Sequence, residues 1–146
     1  MNHPVQGNVS QLDVRGNIQR LEAAMLKEPQ LEIETRHYFA DGIYAREITI
    51  PKGALVTGKI HRTTHLNIVS KGRIAVVTED GEKVIEAPCT FVAQPGTKRA
   101  GFALEETVWT TIHASEETDL DKLEAELIAP SFAALEADQK PLLEGS

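Results

Sequence analysis

The chain has little cysteine, few basic residues for its acids, and no long apolar run. Cys89 is the single cysteine in 146 residues, so an intramolecular disulfide and a cysteine-built zinc site are both excluded. Fifteen Lys and Arg stand against 22 Asp and Glu, a net charge of -7. A nucleic-acid partner is not expected, because phosphate contacts need a surplus of cations. No stretch approaches the ~18–20 apolar residues of a membrane-spanning helix, so no membrane partner is expected. Met1–Gly7 carries no basic cluster leading into an apolar stretch, so no secretory signal is read there and a reducing, cytoplasmic setting is expected.

What remains is ordinary for one globular domain: 41% hydrophobic and 25% charged residues. Three zones follow from patterning. Residues 1–30 form a lead arm in which Ile18, Leu21 and Met25 recur at helical spacing. A helix is predicted over Asn17–Lys27, ended by Pro29. Residues 31–114 alternate in short β-rich runs: Leu31–Phe39, Ile43–Ile50, Leu55–His61, His65–Ser70, Arg73–Thr78, Lys83–Ala87, Thr90–Ala93 and Thr107–His113. Asp41-Gly42, Pro51-Lys52-Gly53, Lys71-Gly72, Asp80-Gly81 and Pro95-Gly96 punctuate them. Eight short strands with turn residues between them predict an antiparallel all-β sandwich or closed barrel. Residues 115–146 turn helical, with Leu120, Leu123, Leu127 and Ile128 on one stripe of a helix over Asp119–Ile128. Pro130 interrupts it, and a further turn or two is predicted over Ser131–Ala137.

Within the β region, Gly53, five residues, Lys59-x-His61, three residues, His65, six residues and Gly72 form a spaced set. It resembles the first motif of the cupin superfamily, in which glycines bracket a His-x-His pair and a Glu. Pro88, Gln94, Gly96, Arg99 and Ala103 match the spacing of the second motif but keep only its central glycine. The resemblance covers roughly residues 31–114 and implies a jelly-roll β-barrel with flanking N- and C-terminal helices. The passage Pro95–Phe132 also looks like small cupin-like proteins of tailed bacteriophages.

The substituted positions change the expected chemistry. A metal ligand must donate a lone pair, and Arg99 stays protonated at working pH, as does Lys59 without a large pKa shift. The resemblance therefore implies a cationic pocket of Lys59, His61, His65 and Arg99 suited to a small anion, with affinity expected to rise below about pH 6.5 as free histidines protonate. Glu47 or Glu105 would defeat it by pairing with those cations. His61 and His65, with His113 as a third ligand, are the residues a divalent Zn, Ni or Fe ion would use, although no cofactor is the leading expectation. Cys89 reads as a small buried thiol and Trp109 as a core residue. Two function classes stand: a non-catalytic binding or assembly module, a homo-oligomer and structural component of a phage particle contacting other phage proteins; and a metal-dependent small-molecule enzyme (dioxygenase, isomerase or lyase) using His61 and His65.

Overall fold

The computed structural model describes residues 16–20, 33–130 and 135. Ten strands form the body: β1 (Glu34–Ala40), β2 (Ile43–Ile50), β3 (Leu55–Thr57), β4 (Ile60–His61), β5 (His65–Lys71), β6 (Arg73–Thr78), β7 (Gly81–Glu86), β8 (Cys89–Ala93), β9 (Ala100–Ala103) and β10 (Thr107–Ala114). Helix α1 (Leu120–Leu127) and strand β11 (Ile128–Ala129) follow. A five-stranded sheet in the order β1-β2-β10-β5-β8 faces a four-stranded sheet in the order β3-β9-β6-β7, and β11 pairs with β4. Every pairing is antiparallel. This is the antiparallel architecture the strand pattern predicts, in the jelly-roll form that the resemblance implies.

The differences from expectation are local. The run Leu55–His61 is divided into β3 and β4 at Gly58 and Lys59, although Gly58 still donates its N–H to the Arg99 carbonyl (2.9 Å) in the β3–β9 register. Strands β9 and β11 were not anticipated, and through β11 the C-terminal segment adds a strand beside the barrel. Of the predicted stripe, helix α1 buries Leu123 and Leu127, whereas Leu120 is exposed and Ile128 lies past the helix in β11. Asp119 is its N-cap, accepting from the Lys122 N–H, and Ile128 already has extended backbone. Of the predicted N-terminal helix, residues 16–20 are helical; 21–27 lie outside the described residues, as do 131–134, while Leu135 is helical.

Alternation on the strands builds the core. Ile50, Val69, Ile74, Val76, Ile85, Ala103 and Trp109 are buried together between the sheets, each large aliphatic contributing roughly 1.5–3 kcal/mol by leaving water. Trp109 donates its indole N–H to Asn67 Oδ1 at 2.8 Å, and both residues are buried. Asn67→Leu would orphan that N–H and is expected to destabilise by about 2 kcal/mol. The double variant Asn67→Leu/Trp109→Phe should fall short of the sum of the singles by more than about 1 kcal/mol, because it removes both polar partners. Urea unfolding of the four proteins checks this; additive losses would contradict it.

Candidate functional site

Register explains how polar side chains reach the barrel interior. On the inner face of the five-stranded sheet, Ile48 lies opposite Trp109, which lies opposite Val69. Two residues further along, the row reads His37, Arg46, Thr111, Asn67 and Phe91. Beyond it come Phe39, Tyr44 and His113, with His65 opposite Ala93 on the far strands. Three consecutive rows thus run from apolar through amide and guanidinium to imidazole. His61 arrives from β4 and Arg99 from the segment just before β9.

Of these groups, His37, Tyr44, Arg46, Ile48, His61, Asn67, Arg99, Trp109, Thr111 and His113 line a cavity of about 410 Å³. Its base is formed by the buried Ile50, Asn67, Ile74, Val76 and Trp109. Its mouth is rimmed by the exposed His37, Arg46, Lys59, Leu120 and Glu124. Helix α1 closes one side by packing Leu123 and Leu127 on Tyr44. The Tyr44 hydroxyl lies 2.7 Å from His37 Nδ1, and burial raises its pKa.

The rings of His61, His65 and His113 gather at one end of the site, with centroids 4.2, 5.1 and 4.7 Å apart. His65 is buried, touches both other rings and is not part of the cavity wall. Its Nδ1–H donates to the Thr63 carbonyl at 3.0 Å, which leaves the lone pair on Nε2. Burial is the main reason all three imidazoles resist protonation. His61 is pushed down to about 3 by burial, then by His65, His113, Arg99 and Arg46. His113 falls to about 4 by burial, then by His65 and Arg46. His65 is lowered by burial and Arg99, against its bond to Thr63. The rings are therefore neutral well below pH 6.5. The expectation that their protonation at that pH strengthens anion binding is corrected: desolvation outweighs the free-histidine value.

Arg99 is half-buried, with its guanidinium 5.4 Å from the centre of the Phe91 ring. Burial lowers its pKa and Glu79 opposes that through its field. Neither Arg99 nor Arg46 forms an ion pair with a carboxylate among the described residues. Glu105 pairs with Arg73 at 3.3 Å, and Glu47 sits on the opposite face of β2 from Arg46. Lys59 reaches the mouth, not the interior. Its exposed ammonium pairs with Glu124 of α1. Arg46, Tyr44 and His37 were not singled out by sequence. Their signal was the alternation Tyr44, Arg46, Ile48, Ile50, the inward set of β2.

As for a metal, His65 Nε2 and His113 Nδ1 are buried without hydrogen-bond partners, so two nitrogens are unused. The rings nevertheless lie face to face, with interplanar angles of 21–39°. Among the described residues, no three His, Cys, Asp or Glu groups are arranged to hold a metal ion. Arg99 and Arg46 further disfavour a divalent cation there. As arranged, the triad does not fit the fold family's metal.

No known protein family's profile matches the sequence, and no curated protein matches it. Solved structures do. A cupin superfamily protein from Desulfitobacterium hafniense aligns at a TM-score of 0.50 and 9% identity, over 60% of this chain and 81% of the other. An RmlC-like cupin from Shewanella frigidimarina aligns at 0.50 and 21%, over 62% and 89%. The fold is that of a cupin. KdgF from a Halomonas species is similar at 0.50 and 20%, over 64% and 88%. At these identities the likeness extends to the barrel alone. Among the described residues, no helix is long and apolar enough to cross a membrane.

Proposed function

We propose that this cupin barrel is a binding module for a small organic anion, a carboxylate with an apolar body. The observation that carries this is the Arg99 guanidinium, half-buried in the wall of the 410 Å³ cavity, beside neutral imidazoles and without an ion-paired carboxylate among the described residues. A carboxylate offers a guanidinium a bidentate match in a partly desolvated place. Arg46 at the mouth adds a second cation along the entry path. The base of Ile50, Ile74, Val76 and Trp109 offers the rest of the ligand mainly apolar contact, with the buried Asn67 amide nitrogen, which has no hydrogen-bond partner among the described residues, beside them. The volume falls in the ordinary range for small-ligand sites, roughly 300–1,000 Å³.

Calorimetric titration with 4-methylpentanoate and with its neutral amide tests the reading. The acid is expected to bind at least about tenfold more tightly, a difference of about 1.4 kcal/mol. Equal affinities, or no binding of either, would overturn it.

A metal-dependent small-molecule enzyme using His61 and His65 is the second reading; it requires the packed rings to turn so that the partnerless His65 Nε2 and His113 Nδ1 converge. Metal analysis of protein purified without tag or chelator tests it. Near-stoichiometric zinc, nickel or iron would make it the leading one. A structural role in a bacteriophage particle draws its support from the resemblance of the Pro95–Phe132 passage.

A further inference from the structure

The base of the cavity carries an amide, and Trp109 fixes which way it points. Asn67 of β5 is 1% exposed to solvent and lines the cavity. An indole nitrogen only donates, so the Asn67 atom 2.8 Å from Trp109 Nε1 is the carbonyl oxygen Oδ1. The other atom is therefore the nitrogen, Nδ2. It is buried and has no hydrogen-bond partner among the described residues. Turning the amide over would set its N–H groups against the indole N–H and lose the bond to Trp109.

A buried amide N–H is seldom left without an acceptor. The strand register says what surrounds this one. On one side Thr111 of β10 stands directly opposite Asn67, and its side chain also lines the cavity. On the other side Phe91 of β8 stands directly opposite. The Arg99 guanidinium lies 5.4 Å from the centre of that Phe91 ring. Ile50, Ile74 and Val76 complete the base and offer no side-chain acceptor.

We propose that Asn67 is a specificity-determining residue of this cavity and that it selects an oxo acid: Nδ2 donates to a carbonyl oxygen close to the carboxylate that Arg99 holds. This rests on the anion-binding reading of the same cavity and adds the ligand's second polar group. A carbonyl oxygen suits the place because it has two lone pairs and no proton. One accepts from Asn67, and the other is open to the Thr111 hydroxyl. An ammonium would set donor against donor. A wholly apolar body would keep the amide N–H buried and unpaired, the costly alternative. Neighbouring strands are about 4.8 Å apart, and Arg99 stands over the ring next to Asn67. The carbonyl therefore belongs beside the carboxylate, as in a 2-oxo acid, with the apolar remainder over Ile74 and Val76.

Calorimetric titration of the wild-type protein with 4-methyl-2-oxopentanoate and with 4-methylpentanoate tests this. The two share charge and carbon skeleton and differ by the carbonyl oxygen. The oxo acid is expected to bind at least about tenfold more tightly. The preference should persist in Trp109→Phe, which keeps the Asn67 amide. It should fall to within about twofold in Asn67→Leu/Trp109→Phe, which removes the amide without orphaning the indole. Far-UV circular dichroism checks that both variants are folded; if the double variant is not, the wild-type ratio decides. Equal affinities of the two acids for wild type, the result if water serves the amide as well as a ligand does, would overturn the role of Asn67 and leave the anion site standing. A preference that survives in the folded double variant would overturn it as well. Binding of neither acid would overturn the anion-binding reading and this inference with it.

Discussion

Gly72→Ala is expected to destabilise the protein by at least about 4 kcal/mol, or to abolish folding. Gly72 turns the chain from β5 into β6 with φ +90°. A β-carbon there would lie 2.1 Å from the Glu106 carbonyl oxygen and 2.8 Å from the Thr107 Cα. Both obstacles are backbone, so the loop before β10 would have to move, and with it the strand that carries Trp109 and His113. The left-handed conformation adds about 1 kcal/mol. Gly53 separates the two contributions. It has φ +83° but nothing within 4 Å of an added carbon, so Gly53→Ala should lose only about 1 kcal/mol. Urea unfolding of both variants checks this. Similar losses, within about 1 kcal/mol of each other, would contradict it.

Acidification should destabilise the protein well above the carboxylate range. His61 and His113 have folded-state pKa values of about 3 and about 4, against the ordinary 6.5. The unfolded chain therefore binds protons from about pH 6.5 downward while the folded protein does not, so stability is full above that pH and is lost as it falls toward 4. The two groups together allow at most about 4 kcal/mol of loss between pH 8 and pH 5, and about 2 kcal/mol is expected after solvent relaxation. Arg46 from β2 and Arg99 from the segment before β9 face the imidazoles and work in the same direction. Glu124, whose pKa Lys59 lowers, contributes only further down. Urea midpoints at pH 8 and 5 measure the effect, and His61→Gln should roughly halve it. Equal stability at the two pH values would contradict the burial of neutral imidazoles.

Most of the barrel was legible because its strands alternate and its turns carry glycine. Where the pattern failed, packing had removed it. Strand β9 reads Ala100-Gly101-Phe102-Ala103, with little β-branched signal, yet a β-carbon on Gly101 would come within 3.0 Å of Ile74 Cδ1. The close approach that favours a small residue there also hides the strand. β11 has two residues, too few to show a period. At the site, His61, His65 and Arg99 stood at motif positions and His113 on an evident strand. Lys59 was expected inside because residues 59 and 61 share a face of an unbroken strand, and the strand is interrupted at Gly58 and Lys59. Arg46 and Tyr44 were missed because both faces of β2 carry apolar residues: Ile43 and Ala45 on one, Ile48 and Ile50 on the other. Alternation reveals two faces without saying which one the barrel encloses.

The anion-binding reading turns on Arg99. Titration of 4-methylpentanoate into wild type and Arg99→Gln, side by side, addresses it directly. Glutamine keeps much of the length and a hydrogen-bond donor but removes the charge and the fork. The account predicts at least about tenfold weaker binding to Arg99→Gln, about 1.4 kcal/mol, with the fold unchanged by circular dichroism. Equal affinity of the two proteins would place the carboxylate elsewhere and contradict the account.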